Sequence, residues 1–326
     1  MKLEQLKLRD LSSKLPDRID VFLCCSSFEE RSLVISNTII SKQILLSFIF
    51  FNPKYSERII ENKTELLSIF RNSKVIEIAF DIKNPIAYIS SFNNVIKQIK
   101  TVGSSPLNIV VDITTFTHET LLILINVLRN HFNFKENNIY FTYNIAADYS
   151  YDTSDIKDKW LSRGIGDIRS VVTYPGLINP TLPYHLIILV GFEAERTSLL
   201  IENFDTTMVS LGIGYTEIAR ENIEEMGKIS EQNHKEIANR FPNVFSFKFS
   251  LDNPLKTSEE ILNHISKFPG TNSIIAPMSN KISTVGVALA YFKSPSIQIC
   301  YASANQYNVN NYSIPGVDCI LFQLEI

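Results

Sequence analysis

Apolar runs of strand length alternate with segments of helical spacing along most of the chain. The runs of the first half are nearly continuous in apolar residues, which is typical of strands buried on both faces of a parallel sheet. They predict strands at Asp20–Cys25, Gln43–Phe51, Ser73–Phe80, Leu107–Ile113, Asn138–Ala146 and Ile168–Thr173. The segments between them predict helices at Glu29–Ile40, Glu57–Arg71, Ile86–Lys100 and Thr117–His131. Residues 1–18 predict an irregular or partly helical lead-in. Strands alternating with helices predict an α/β fold with a mainly parallel sheet.

The same order of patterns occurs a second time. DVFLCCSSFEERSL (20–33) resembles HLIILVGFEAERTSL (185–199), because each is an apolar run followed by Phe-Glu and then Glu-Arg-Ser or Glu-Arg-Thr. Four further matches follow in order: FDIKNP (80–85) with FSLDNP (249–254), NIVVDITTFTHET (108–120) with NSIIAPMSNKIST (272–284), IYFTYNIAADYS (139–150) with IQICYASANQYN (297–308), and Gly166-Asp167 with Gly316-Val317-Asp318.

This repetition predicts two tandem, internally duplicated Rossmann-like domains. We place the first half at residues 1–176 and the second half at 184–326, with the proline-rich segment 174–183 as the linker. Two similar domains in one chain tend to pack about a pseudo-two-fold axis, as the subunits of a symmetric dimer do. In open parallel sheets, ligands bind beyond the carboxyl ends of the strands at the topological switch point.

Composition narrows the class of protein. The chain has 326 residues, 45% of them apolar, and a net charge of -3, so we expect no extended nucleic-acid surface. The cysteines 24, 25, 300 and 319 lie in or beside apolar runs without metal spacing, which predicts reduced core thiols. The N-terminus lacks an apolar signal segment, and no apolar run approaches membrane-span length. These features predict a soluble, cytoplasmic protein with no membrane partner, no metal and no cofactor.

The repeated Glu-Arg segments are the first candidate site. They lie where a helix follows the first strand of each half. Either Glu29 matches Glu193 with a gap of one residue, or Glu30-Arg31 matches Glu195-Arg196 directly. An arginine there can pair with the glutamate and fix the turn, or it can bind a phosphate at the helix N-terminus. Both interpretations remain open, because duplication copies structure as readily as function.

The second candidate site follows the fourth strand of each half. Thr114 and Thr115 in the first half match the region of Ser279, Asn280 and Lys281 in the second. Hydroxyl and amide groups at this position can cap the following helix or hold the phosphates and ribose of a nucleotide, and Lys281 is the natural charge partner for a phosphate. His118 is a candidate general acid or base, without a counterpart in the second half.

Tyrosines at matched spacing form a third candidate group. Tyr143 matches Tyr301 and Tyr149 matches Tyr307, and such rings either stack on bases or pack in the core or at its rim. Phosphate-binding P-loop and nucleophile-elbow motifs are absent from the sequence, and residues 211–217 lack the third glycine of the dinucleotide fingerprint.

Tandem Rossmann-like halves with candidate positions after the first and fourth strands resemble the CRISPR-associated Rossmann-fold (CARF) sensor domains. They resemble in particular the fused, SAVED-like version of bacterial anti-phage signalling. The resemblance implies that a second-messenger oligonucleotide binds across the two-fold, with contacts from the loop after the first strand and from a segment after the fourth. Ser279-Asn280-Lys281 is the best local match to that segment, followed by Thr114-Thr115 with Phe116.

The leading hypothesis is therefore a nucleotide-recognising sensor, or a component of a bacterial defence system, with the ligand between the halves. Arg31, Arg196 and Lys281 would meet phosphate, Thr114, Thr115, Ser279 and Asn280 would supply hydrogen bonds, and Tyr143 and Tyr301 would stack. No effector-like domain remains in the sequence, so we expect a protein partner that carries an effector activity.

One alternative is a nucleoside- or phosphodiester-processing enzyme that uses Glu29 or Glu193 with His118. Another is a ligand-free interaction subunit of a multi-protein defence complex, in which the motifs are structural.

Overall fold

The predicted alternation of strands and helices is present in the structure, a computed structural model. It describes residues 2–53, 56–81, 84–103, 106–153, 159–204, 206, 208–217, 221–241 and 243–325. The chain forms two compact units: unit 1 contains Met1–Tyr151 with Ser313–Ile326, and unit 2 contains Asp152–Tyr312. Both are α/β with mostly parallel sheets, which confirms the predicted fold class.

The sheet of unit 1 has the strand order β1-β15-β6-β5-β2-β3-β4. Its strands are β1 (Lys2–Lys7), β2 (Arg18–Cys25), β3 (Gln43–Phe51), β4 (Lys74–Ala79), β5 (Asn108–Asp112), β6 (Asn138–Tyr149) and β15 (Ser313–Gln323). The strands from β6 to β4 in this order are parallel, whereas β15 pairs antiparallel with both β6 and β1.

Helices connect the parallel strands of unit 1. They are α1 (Leu8–Lys14), α2 (Arg31–Thr38), α3 (Glu57–Ile69), α4 (Pro85–Ile99) and α5 (His118–His131). Helix α4 begins where Asn84 accepts a hydrogen bond from the N–H of Ala87 and Pro85 supplies a preset backbone angle. Helix α5 begins where Thr117 accepts from the N–H of Thr120, and nearly all of its apolar residues are buried.

The central strands of unit 1 bury large side chains on both faces, which explains their continuous apolar sequence. Phe22 of β2 and Phe48 of β3 are fully buried. On β15, Ile320 and Phe322 are each 1% exposed, so each stabilises the sheet by about 1.5–3 kcal/mol relative to an exposed side chain. The ring of Phe322 stacks on Phe141 of β6 at 5.2 Å between centroids.

Unit 2 has the same kind of sheet, in the order β11-β10-β9-β12-β13-β8, and a separate two-stranded ladder of β14 and β7. Its strands are β7 (Ser162–Arg163), β8 (Ile168–Ser170), β9 (Tyr184–Leu189), β10 (Met208–Tyr215), β11 (Val244–Ser250), β12 (Asn272–Pro277), β13 (Gln298–Ala302) and β14 (Gln306–Tyr307). Its helices are α6 (Ala194–Asn203), α7 (Glu221–Arg240), α8 (Pro254–Ile265) and α9 (Lys281–Lys293).

The structure divides the chain differently from the predicted boundaries of 1–176 and 184–326. Strand β8 belongs to the sheet of unit 2, where it pairs antiparallel with β13, and β15 belongs to the sheet of unit 1. Residues 2–14, predicted as an irregular or partly helical lead-in, form β1 and α1. The prediction missed β1 because its polar sequence KLEQLK is that of an edge strand, half exposed, rather than a buried strand.

Candidate functional site

The direction in which strands are added to the sheet changes at one point in each unit. In unit 1 the chain runs outward from β2 to β3 and β4, and then crosses to β5 on the other side of β2. In unit 2 the corresponding change lies between β9 and β12. Ligands of open α/β sheets bind at such switch points, beyond the carboxyl ends of the strands. The loops that follow these strands carry most of the predicted site residues.

Arg31 is the first residue of α2, and its side chain is 4% exposed. Its Nε and Nη2 donate to Oε2 of Glu29 at 3.0 and 2.8 Å, and Nε also donates to Oγ of Ser313 at 3.0 Å. Its Nη1 donates to the carbonyl of Asn144 at 3.0 Å. Burial, the largest single effect, would lower the pKa of Arg31. The charge of Glu29, its hydrogen bond to Arg31 and the phenol groups of Tyr149 and Tyr143 together outweigh burial and raise this pKa above its ordinary value. This pair is therefore a buried, hydrogen-bonded ion pair.

The tyrosines of β6 surround this arginine. The Arg31 Cζ atom lies 5.8 Å from the ring centroid of Tyr143 and 5.4 Å from that of Tyr149. The two phenol oxygens are 3.4 Å apart, and Tyr143 is 5% exposed. The packing of Tyr143 is that of a core residue around a buried cation.

Glu193 and Arg196 form the counterpart in unit 2, at the start of α6. Oε1 of Glu193 accepts from the backbone N–H groups of Leu161 and Ser162 at 2.9 and 2.5 Å. Arg196 donates to Oγ of Ser162 at 2.8 Å and to the carbonyl of Ala302 at 2.6 Å. The buried Nε of Arg196 has no hydrogen-bond partner among the described residues. Burial raises the pKa of Glu193, and the charge of Arg196 with the hydrogen bonds from 161 and 162 opposes that rise.

Each Glu-Arg pair therefore contacts one serine that sequence reasoning missed. Ser313 contacts the pair of unit 1 and Ser162 the pair of unit 2. The two serines hold the same position relative to Asp318 and Asp167. The sequence repeat could have identified these serines. When Asp167 is aligned with Asp318, Ser162 falls opposite Ser313.

Tyr301 is also enclosed by side chains of its own unit. It is 5% exposed, and Cζ of Arg169 lies 5.5 Å from its ring centroid. Arg169 in turn donates to the carboxylate of Asp167 at 2.5 Å. In both units, the matched tyrosine thus lies beside an arginine of the protein.

Thr114 and Thr115 form hydrogen bonds with polar groups of neighbouring strands. Oγ1 of Thr114 donates to Oδ1 of Asp112 at 2.5 Å and accepts from the N–H of Asn144 at 3.0 Å. Oγ1 of Thr115 donates to the carbonyl of Cys25 at 2.5 Å, which joins the end of β5 to the end of β2. Burial raises the pKa of Asp112 to about 7, although the hydrogen bonds from Thr114 lower it. A buried carboxyl with such a pKa is a candidate for proton transfer.

Asn280 and Lys281 lie at the start of α9, directly after β12. The side chain of Asn280 caps the helix: its Oδ1 accepts from the N–H of Ser283 at 2.9 Å, and its Nδ2 donates to the carbonyl of Leu251 at 2.6 Å. Lys281 is the first helical residue, and both it and Ser279 are partly exposed. A Cβ atom on Gly191 would lie 1.8 Å from the carbonyl oxygen of Met278, so only glycine allows the loop after β9 to pass this close.

His118 is the first residue of α5 and is partly exposed, whereas Glu29, its proposed acid–base companion, is buried in the ion pair with Arg31. The hydrogen bonds from Arg31 and Ser313 occupy this carboxylate inside unit 1. Within the described part of the chain, no cluster of three or more His, Cys, Asp or Glu side chains is arranged to hold a metal ion. None of the described helices combines the length and the apolar character needed to cross a membrane.

The strand order and the switch point of each sheet define the structural class of the protein. It is an α/β protein with two units of Rossmann-like type. No protein-family model matches the chain, and no curated protein sequence matches it.

Proposed function

We propose that the protein recognises an anionic, nucleotide-type ligand at the carboxyl edge of the sheet of unit 2. The N-terminus of α9 carries this proposal, because it lies at the switch point with Lys281 as its first residue and the hydroxyl of Ser279 before the cap. The N–H groups in the first turn of a helix lack intrahelical acceptors, and the helix dipole favours an anion there. A phosphate at this position would meet backbone donors and an ammonium group together.

The arginines of the Glu-Arg motifs are weaker candidates for phosphate binding than Lys281, because both donate hydrogen bonds to groups of the protein. All three nitrogens of Arg31 donate to protein groups, so Arg31 is committed to the interior of unit 1. Arg196 also binds Ser162 and Ala302, although its buried Nε has no partner among the described residues. The proposal therefore rests on Lys281 and Ser279, with Asn280 as the residue that shapes the turn.

The internal duplication and the role in bacterial defence, both predicted from the sequence, remain part of this proposal. The strand order β4-β3-β2-β5-β6-β15 of unit 1 parallels β11-β10-β9-β12-β13-β8 of unit 2, which supports the duplication. The resemblance to CARF and SAVED-like sensors makes cyclic oligonucleotides the first ligands to test, and it supports a role as a sensor that acts through a partner protein.

A thermal-shift screen against mono-, di- and cyclic oligonucleotides tests this function. A ligand present at a hundred times its dissociation constant stabilises the protein by about 2.7 kcal/mol. We expect that shift in the unaltered protein and in Lys293→Ala, a control at the far, exposed end of the same helix. Lys281→Ala should lose most of it while its melting temperature without ligand stays unchanged.

The nucleotides are recovered after the screen and analysed. Intact nucleotide supports recognition, and altered nucleotide supports the alternative of a nucleotide-processing enzyme. A full shift in Lys281→Ala would reject the site at α9. If no nucleotide shifts the protein, the ligand-free interaction subunit becomes the better interpretation, which the internal use of both Glu-Arg pairs already favours.

A further inference from the structure

One strand of each sheet comes from the other half of the sequence. Strand β15 ends the second half, yet it pairs with β6 of the first half, from Gln323 opposite Tyr140 to Ser313 opposite Tyr149. Strand β8 ends the first half, yet it pairs with β13 of the second half, with Ser170 opposite Cys300. The exchange is reciprocal, and both exchanged strands run antiparallel to their partners.

Each exchanged segment also carries a serine that forms hydrogen bonds with the Glu-Arg pair of the unit that it joins. Oγ of Ser313 donates to Glu29 at 2.6 Å and accepts from Nε of Arg31, just where β15 begins. Ser162, which precedes β8, donates its N–H to Glu193 and accepts at Oγ from Arg196. We call each Glu-Arg pair, together with the strand carbonyl that its arginine contacts, a socket: Glu29, Arg31 and Asn144 in unit 1, and Glu193, Arg196 and Ala302 in unit 2.

Without the exchanged strand, the first half would have an incomplete sheet. The hydrogen-bonding edge of β6 would be open, and an open edge is prone to pair with other chains. The core of unit 1 would lose Cys319 and Leu321, which pack in one apolar cluster with Phe22 and Val110. The carboxylate of Glu29 would also lose the hydroxyl of Ser313 as a donor, inside a site where an unsatisfied charge is costly.

We propose that each half has an interaction surface, formed by its socket and the edge of β6 or β13. The partner of each surface is the exchanged segment of the other half, which contains β15 or β8. The surface recognises a serine followed by an antiparallel strand, and it does so twice. The two halves are then an obligate interlocked pair, and the chain connection between Pro180 and Thr181 is dispensable once they have folded. This inference does not depend on the ligand proposed for unit 2.

Cleavage of the linker in the full-length chain tests the proposal. A protease site is inserted between Pro180 and Thr181, in an exposed turn that Leu182 closes by donating to the carbonyl of Asn179. Two versions also carry a cysteine pair at facing positions, either Tyr140→Cys with Gln323→Cys or Arg169→Cys with Tyr301→Cys. Facing Cα atoms in an antiparallel ladder are about 4.5–5.5 Å apart, within the range that a disulfide spans.

We expect the cut halves to elute together under native conditions in a one-to-one ratio. After oxidation, each paired version should run as one covalent species of full mass on a denaturing gel without reductant, and as two fragments with reductant. The single-cysteine variants should give two fragments under both conditions, which controls for the native thiols. Separation of the cut halves under native conditions, or failure of both cysteine pairs to join them, would overturn the proposal.

Discussion

The hydroxyl of Ser313 donates to the carboxylate of Glu29 at 2.6 Å, although 284 positions separate the two residues in the chain. The same hydroxyl accepts from Nε of Arg31 at 3.0 Å, so one serine contacts both members of a buried ion pair. Since Ser313 begins β15, the ion pair has all of these hydrogen bonds only when β15 is in place beside β6. This contact gives the repeated Glu-Arg motif a structural function that needs no ligand.

Removal of one partner of that ion pair should be strongly destabilising. Arg31→Ala leaves Glu29 as an uncompensated buried charge, which costs about 3–5 kcal/mol of unfolding free energy. Lys235→Ala is the matched control, because its pair with Glu231 is exposed and contributes only about 0.3–0.5 kcal/mol. Urea unfolding measures both. Equal losses in the two variants would show that the Arg31 pair is not buried in solution.

Gly316 should not tolerate a side chain. A Cβ atom there would lie 2.2 Å from the carbonyl oxygen of Ile145, at the irregular pairing between β15 and β6. Gly316→Ala must therefore shift the backbone, with an expected loss of about 1–3 kcal/mol. Gly103→Ala is the control, since the nearest atom to its new Cβ is 3.9 Å away. The denaturation midpoints of the two variants measure these losses. If the midpoint of Gly316→Ala equals that of the unaltered protein, position 316 does not lie this close to the carbonyl of Ile145.

A buried histidine pair in unit 2 should make stability fall in acid. Nε2 of His185 and Nε2 of His264 each lie 2.7 Å from Oγ of Ser210, and burial lowers both pKa values to about 4. The unfolded chain takes up these protons near the ordinary pKa of 6.5, earlier than the folded chain does. The unfolding free energy should therefore decrease as the pH falls from 6.5 to 4, by at most about 3 kcal/mol for each histidine.

Urea unfolding across this pH range measures that slope. His185→Gln and His264→Gln should each reduce it, because glutamine does not titrate. A slope that persists in the double variant His185→Gln/His264→Gln would assign the acid sensitivity to other groups.

Asp112 should have the opposite dependence on pH. Its folded pKa of about 7 lies above the ordinary value of 3.8, so its contribution to stability is lost as the pH rises from 3.8 through 7. Asp112→Asn keeps an oxygen to accept from Thr114 and cannot ionise. We expect this variant to be more stable than the unaltered protein at pH 8, by at most about 4 kcal/mol, and equally stable at pH 3.5. Paired urea titrations at the two pH values provide the measurement, and a less stable variant at pH 8 would contradict the raised pKa.

Much of the fold could be predicted because it depends on local patterns. The buried strands β2, β3 and β5 lie within one or two residues of their predicted ends, since runs buried on both faces are apolar throughout. The helix starts near Asn84 and Thr117 follow from residues that cap a helix. The candidate Glu-Arg positions were also visible, because the repeat marked them twice.

The sequence by itself determined the α/β class, the buried strands and the residues repeated between the two halves. Only the tertiary structure decided that β15 joins the sheet of unit 1 and β8 the sheet of unit 2, and that Ser313 and Ser162 contact the Glu-Arg pairs. The physical reason is that hydrophobic periodicity records which face of a strand is buried. Its edge pairs through backbone N–H and C=O groups that nearly every residue carries, so the choice of neighbour leaves no mark on the local sequence.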